Sequence, residues 1–293
     1  MQTAQNMEAK EEKRAGQLYA TWRRFKKNKA SICGAIITII VVSMAVLAPV
    51  ISPYDPGKLN YGKELQPPSP IFLLGTDSGG RDVLSFIIWG ARTSLIVAAG
   101  AILVEVVIGV IIGGFAGYYS RFIDEVLMRF TDIILTLPTI LLLLTAVSMF
   151  KVRSIVLITL IMGVLGWPWM ARVVRSEFLC LKESTFVEAA KSMGIGNLRI
   201  VFRHILPNAI SPIIVIATLD AAFYIMYEAT LSFLGLGDPT AISWGILIAR
   251  GKNVLGSAWW VTTFPGLMIF ITTIGLNLLG DGLRDAFDVR ARV

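Results

Sequence analysis

Histidine occurs once in this chain and cysteine twice, and only 16% of the 293 residues are charged. Each scarcity excludes something. One histidine, His204, and two cysteines, Cys33 and Cys180, do not make up the several ligands of a metal centre. They leave no Ser-His-Asp or Cys-His arrangement for nucleophilic catalysis. Two cysteines are also too few for a disulfide-stapled scaffold. Charge at 16% falls well short of the roughly 25% of a soluble domain, so the solvated skin of a cytosolic enzyme is missing. Hydrophobic residues reach 55%, which excludes disorder. The composition is that of an integral membrane protein.

The apolar runs say which kind. Ser31 to Ile51 carries no charge over 21 residues, about 32 Å as a helix and close to the thickness of a hydrocarbon core. Further runs cover Thr93 to Tyr118 (interrupted by Glu105), Ile133 to Phe150, Ser154 to Ala171, Ala209 to Tyr227 (interrupted by Asp220) and Val254 to Asp281. None alternates with the ten-residue pattern of an outer-membrane barrel. Backbone groups in lipid must satisfy one another, so the runs are helices. The expectation is an all-α polytopic membrane protein with six transmembrane helices.

Charge orients them. Residues 1–30 hold eight Lys/Arg against three Glu, which places this tail in the cytoplasm. Threaded from there, 19 of the 27 Lys/Arg lie inside and both termini are cytoplasmic. The long basic stretch before the first run, with no small-residue cleavage site after it, argues against a signal peptide. The expected division is a cytoplasmic tail (1–30), a first transmembrane helix (31–51), an external segment (52–92), a five-helix core (93–284) with a cytoplasmic loop at about 177–207, and a cytoplasmic C-terminal tail (285–293). The external segment is rich in turn formers, with Pro53, Pro56, Pro67, Pro68 and Pro70 ahead of Gly75-Thr-Asp-Ser-Gly-Gly-Arg-Asp82.

The cytoplasmic loop is the most informative stretch. Thr185-Phe-Val-Glu188 fits a capping box, with Thr185 as cap and Glu188 reaching back. Ala189, Ala190, Lys191, Ser192 and Met193 continue it, and Gly194 and Gly196 can adopt the left-handed conformation that stops a helix. The result is a helix of about two turns, roughly 12 Å long. Pro207 then opens the next span, where proline is tolerated. Two turns are too few for stability in water, yet both ends are specified and the surroundings are basic. Such a helix suits docking into a partner; an ordinary solvated loop helix is the plain alternative.

Glu188-Ala189-Ala190, then Gly194, then Leu206-Pro207 resembles the EAA loop of ABC importer permeases, with His204 where that pattern expects isoleucine and Ile205 one place later. Leu74–Ser85, Gly90–Leu95, Glu228–Gly237 and Asn277–Asp285 are similar to the C-type permease subunit of the dipeptide, oligopeptide and nickel importers. The tail reads Asp288-Val289-Arg290 where that family has Asp-Pro-Arg. The resemblance runs from about Ala15 to Arg290. It implies a type I ABC importer permease fold with a cytoplasmic coupling helix, in a bacterial plasma (inner) membrane. It implies three kinds of partner beside the lipid bilayer: a second homologous permease subunit, two cytoplasmic ATP-binding subunits and an external solute-binding protein, with no nucleic acid. ATP and Mg would be used by the partner ATPases, and no cofactor would be bound by this chain. Thr185, Glu188, Ala189, Ala190, Met193, Gly194 and Pro207 become the ATPase-coupling residues. The expected cargo is a di- or oligopeptide, with nickel or another small solute as the alternative.

Gly245-Ile-Leu-Ile-Ala-Arg-Gly251-Lys-Asn253 is the nearest thing to a phosphate loop, but its spacing is one residue too long and Asn253 replaces the magnesium-holding hydroxyl, so the chain is expected to be no enzyme by itself. Acids within spans are candidates for function because they are costly in lipid. At 100° per residue, Asp220, Tyr224 and Tyr227 share one stripe, and with Glu228 they form a candidate translocation path; buried hydrogen bonds to another helix or subunit are the alternative. Gly109, Gly113 and Gly117 allow close helix approach. Pro138 and Pro168 each remove a helix hydrogen bond. A secondary transporter would show inverted repeats with broken helices, which the sequence does not display, and neither it nor a channel would need a docking helix.

Overall fold

The computed structural model describes residues 22–119 and 121–287. The tail residues Lys10, Lys13 and Arg14 and the Asp288-Val-Arg290 end lie outside this range. After a short helical stretch at 22–27 come α1 (Lys29–Ile51), α2 (Val83–Tyr118), α3 (Arg121–Leu135), α4 (Thr139–Ser148), α5 (Ile155–Lys182), α6 (Thr185–Ser192) and α7 (Asn197–Ile200). A π-helical turn (Val201–Ile205) leads into α8 (Leu206–Phe233), followed by α9 (Trp244–Gly251) and α10 (Trp260–Phe287). Among the described residues there is no β-strand, only an isolated bridge between Thr76 and Asp82.

The central packing is between α2 and α5, which run parallel. Gly100 faces Thr159, Gly109 faces Met170, Gly113 faces Ala171 and Val174, and Gly117 faces Arg175 and Phe178. Lipid is as apolar as leucine, so burial alone does not drive helices together; small residues that admit a neighbouring backbone do. The Gly109-Gly113-Gly117 stripe is therefore a packing surface. A second close pair joins α1 to α10, where Gly34 abuts Gly275 and Leu279, and Ser31 abuts Gly282. Asn28 closes the start of α1 by accepting from Ala30 and Ser31, and its amide donates to Asp285 at 3.1 Å.

The helices extend past the apolar runs. α2 starts at Val83, not Thr93, because Asp82 caps it, accepting from the Ser85 amide at 2.7 Å and the Ser85 hydroxyl at 2.6 Å. α5 continues beyond Ala171 to Lys182, with its two added arginines paired: Arg172 bonds Asp132 at 2.5 Å and Arg175 holds Asp124 by two bonds. Paired charge at a helix end is tolerated where unpaired charge would stop a span.

The third span departs from expectation. A straight helix at Ile133–Phe150 is not formed. The chain bends by 82° between α3 and α4. Pro138 supplies no N–H and disfavours helical backbone at Leu137. α4 has ten residues, about 15 Å, too short to cross alone. α3 is amphipathic: Phe122, Val126 and Ile133 are exposed, while Asp124 and Asp132 face the arginines of α5. Among the described residues, five helices are individually long and apolar enough to span, or six when the bent pair counts as one.

At the end of the bundle where α2 and α5 begin, residues 52–82 and α9 form a folded cap. Gly75 adopts φ +78°, and a Cβ there would lie 2.6 Å from the Gln66 carbonyl oxygen and from Trp260 Nε1, so the position admits only glycine. Asp77 Oδ1 accepts from the amides of Gly79 (2.8 Å) and Arg81 (2.9 Å), and Trp260 Nε1 donates to the Thr76 carbonyl at 3.1 Å. These bonds account for the Gly75–Asp82 motif. The 234–243 loop is fixed to the start of α5 by Asp238, which accepts from the Ile155 amide at 3.2 Å. Burial works to raise the Asp238 carboxyl, but donation from the Thr240 hydroxyl and from the Thr240, Ile155 and Ala241 amides outweighs it and holds the group below its ordinary value. A depressed folded value gives stability that is present above the ordinary value of 3.8 and lost as pH falls through the folded one. The wild-type chain should therefore lose more thermal stability than Asp238→Asn between about pH 5 and pH 3, read as the unfolding midpoint of protein in detergent.

Candidate functional site

Two groups of residues from the sequence reading are brought together at separate places: the short helix α6 with its surroundings, and the acids of α2 and α8.

α6 spans Thr185–Ser192. Its start differs from the expected capping box. Ser184, not Thr185, occupies the cap position, and no side chain caps the first turn. Only Glu183 and Ser184 separate α6 from α5, and the Ser184 hydroxyl donates backwards to the Leu181 carbonyl at 2.5 Å. That bond closes off α5, leaving Glu188 one position too far along to reach back. Exposed Glu188 retains a favourable place in the first turn, near the positive end of the helix dipole. The end of α6 is fully specified. Gly194 takes φ +73°, its amide donates to Lys191 at 2.9 Å, and the Ile195 amide donates to Ala190 at 3.2 Å. This is the Schellman pairing that satisfies the last carbonyls. Gly196 is not a second left-handed stop; it is extended at φ −63° and begins α7.

The two faces of α6 differ. Val187 and Ala190 are buried with Tyr118, Val174, Phe178, Ile200 and Ile205. Thr185, Phe186, Glu188, Ala189 and Met193 are exposed, Met193 at 71%. Ala190, expected on the docking side with Ala189, instead faces the chain's own core, because a helix rotates by 100° per residue. Tyr118 at the end of α2 is the residue the sequence reading missed. Its hydroxyl donates to Asn197 Oδ1 at 2.8 Å, and Lys182 and Lys191 lie over its ring at 5.8 and 6.0 Å. It thereby touches α5, α6 and α7 at once, and no local motif marks it.

Pro207 stands in the first turn of α8, where proline is tolerated, and the helical path continues back beyond it. The helical path begins at Asn197 and runs to Phe233. Pro207 would clash with a regular turn before it; the π-turn at Val201–Ile205 widens that turn, with the Leu206 amide donating to Val201. The Asn208 side chain donates to the His204 carbonyl at 2.6 Å. His204 is thus part of this turn.

The acids of the spans lie deeper. Tyr224 donates to Glu105 Oε2 at 2.9 Å, both buried, and Asp220 faces Glu105 closely enough to interact directly. Gly166 leaves room for the Tyr224 hydroxyl, which a Cβ at that position would overlap. Tyr227 is half-buried and hydrogen-bonds Thr139 at the start of α4. The stripe therefore splits: Tyr224 and Glu228 turn inward, while Asp220 and Tyr227 stay partly accessible. Glu228 is 1% exposed, and its Oε1 accepts from Ser232 at 2.9 Å and Ser243 at 2.7 Å. Residues 245–251, too irregular in spacing for a phosphate loop, form α9. Cys33 and Cys180 are free thiols.

Comparison with known proteins identifies the type of machine. Residues 109–293 match the family described as binding-protein-dependent transport system inner membrane component. Residues 16–68 match the N-terminal TM domain of oligopeptide transport permease C. The dipeptide transport system permease protein DppC of Alkalihalophilus pseudofirmus is 38% identical, covering 92% of this chain and 89% of that one. The oligopeptide transport system permease protein OppC of Bacillus subtilis is 37% identical over 92% and 88%. A chain of the inward-facing MetNI methionine ABC transporter superposes with a TM-score of 0.57 at 19% identity, covering 69% of this chain and 97% of that one, a likeness of fold. Five or six spans among the described residues, a short helix of fixed length between α5 and α8, and homology over nine-tenths of the length agree, and this chain belongs to the binding-protein-dependent transport system inner membrane components, the permease subunits of ABC importers.

Proposed function

We propose that this chain forms half of the translocation path of an importer for di- or oligopeptides and is driven by ATP bound with Mg in two partner ATPases. The observation that carries the coupling role is α6: one face buried in the chain's own core, the other exposed, and a Schellman stop fixing its length. The exposed face, Thr185, Phe186, Glu188, Ala189 and Met193, enters a groove on one ATPase. When the ATPases close, α6 moves with them. Val187 and Ala190 pass the displacement to Phe178 of α5 and to Ile200 and Ile205, and α8 tilts. The coupling loop and both termini then lie in the cytoplasm, the cap of residues 52–82 and α9 lies outside, and the whole sits in a bacterial inner membrane beside a second permease subunit. An external solute-binding protein delivers the cargo to the cap. The names of the two relatives support peptide as cargo.

The test is purification from native membranes followed by reconstitution. Two ATPases and a second permease subunit should co-purify, and vesicles supplied with binding protein and ATP should take up labelled dipeptide. Uptake of dipeptide by this chain alone, driven by an ion gradient, would overturn the reading; ATP-driven uptake of nickel and not of dipeptide would overturn the cargo.

Within the path, Asp220 and Tyr227 are the half-buried members of the stripe, with Asp220 Oδ2 itself buried. Asp220→Asn should lower peptide uptake by about tenfold, the scale of one lost charge-assisted contact, with ATPase coupling retained. Unchanged uptake would remove the Asp220 charge from the path.

A further inference from the structure

Glu228 was grouped with the path residues, but its surroundings give it another task. It lies near the far end of α8, the helix that leaves the coupling loop, and it is buried inside this chain. Its Oε1 accepts from Ser232, one turn on in the same helix, and from Ser243, the residue that caps α9. The Ser243 hydroxyl in turn accepts from the Ile246 amide at 3.3 Å. A single carboxyl oxygen therefore fastens α8 to the first turn of α9. Packing closes the same joint: a Cβ on Gly245 would lie 2.6 Å from Ala229 Cα and 2.9 Å from Ser232 Cβ, so α9 meets α8 backbone to backbone.

The connection continues beyond α9. Trp244 Nε1 donates to the Ile87 carbonyl of α2 at 2.9 Å. Arg250, at the other end of α9, lies 3.7 Å from Asp77 and sits over the Phe86 ring at 5.0 Å. Asp77 is the residue that folds the Gly75–Asp82 turn. An unbroken series of contacts thus links the cap to α8, and α8 to α6 through the π-turn and Ile205. Glu228 is the polar tie in that series. Its Oε2 is buried with no hydrogen-bond partner among the described residues.

We infer that Glu228 is a positioning residue that transmits arrival of the loaded binding protein on the cap to the coupling helix, through Ser243 and α9. The inference rests on the proposed docking of α6 to an ATPase. Pressure on the cap moves α9, the Glu228–Ser243 tie moves α8, and α8 moves the π-turn against α6. No substrate contact by Glu228 is involved.

The test uses the complete complex in vesicles, with basal ATPase activity and its stimulation by loaded binding protein measured separately. Ser243→Ala removes the donor, and Gly245→Ala wedges the same joint apart while leaving both polar groups in place. Both should keep basal activity within about twofold and lose stimulation by about tenfold, the scale of one buried hydrogen bond to a carboxyl. Glu228→Gln, which keeps the accepting oxygen, should retain stimulation, and Glu228→Ala should lose it. Wild-type stimulation in Ser243→Ala and Gly245→Ala would overturn the inference. So would equal loss of assembled complex in all the variants, which would assign the tie to folding. If the docking of α6 is itself wrong, Gly194→Val will be silent along with Ser243→Ala; if only the relay is wrong, Gly194→Val will uncouple and Ser243→Ala will not.

Discussion

Gly194→Val should abolish most coupled activity while leaving the bundle intact. Gly194 sits at φ +73° with nothing within 4 Å of where a Cβ would be, so the effect is one of backbone conformation and not of crowding. A side chain in the left-handed region costs about 1–2 kcal/mol, more for a β-branched residue, which changes a two-state ratio by about 5- to 30-fold. The Schellman bonds from Gly194 and Ile195 would open, α6 would lose its fixed length, and its exposed face would no longer present Ala189 and Met193 at a set height. Stimulated ATPase and peptide uptake should fall together by that factor, with unchanged amounts of protein in the membrane. Gly194→Asn should lie between valine and wild type, because asparagine tolerates this conformation better than other residues. Full coupled activity in Gly194→Val would remove α6 from the coupling machinery.

Gly113→Leu should have the largest effect on folding. A Cβ at Gly113 would press on the Ala171 carbonyl and come within 2.8 Å of Val174 Cβ. The carbonyl belongs to the α5 backbone, so relief requires separating α2 from α5 along their parallel contact. Overpacking of this kind costs about 1–3 kcal/mol, occasionally more, and here it falls on the interface that organises the bundle. Folded protein recovered as a monodisperse peak in detergent should drop by about 5- to 30-fold. Gly109→Ala should be milder because alanine adds a single carbon, although a Cβ there would lie 2.7 Å from Met170 Cβ, which the α5 backbone holds in place. Gly266→Ala, with nothing within 4 Å, should be silent to within about 0.5 kcal/mol. Equal recovery of Gly113→Leu and Gly266→Ala would show that α2 and α5 do not pack as described.

Much of α6 could be read from the residues. Gly194 was legible because a left-handed stop after a helix-forming run is a local property. The cap at the other end was misplaced by one residue, because α5 runs on to Lys182 and takes the Ser184 hydroxyl for its own last turn. Such competition between consecutive helices is invisible until the length of the first is known. The ends of α5 were hidden for a related reason: Arg172 and Arg175 look like loop residues until Asp132 and Asp124 are seen opposite them. Pro138 signalled a disturbance, but not a bend of 82°, because proline removes one hydrogen bond and the neighbouring helices choose the direction taken. Tyr118 had no signal at all, since its three partners come from three later segments of the chain.

The sequence by itself determined that this is a helical membrane permease with a short helix of specified length between two spans. Hydrophobic length, charge asymmetry and the spacing of Glu188, Gly194 and Pro207 are linear properties, set by the thickness of a bilayer and the geometry of one turn. Only the tertiary structure decided how the acids divide. Asp220, Tyr224, Tyr227 and Glu228 sit on one helix and share a residue chemistry, but Tyr224 meets Glu105 from α2 and Glu228 meets Ser243 from the cap. Which buried polar group finds which donor depends on the elements packed against it, and those partners lie 119 and 15 residues away in the chain.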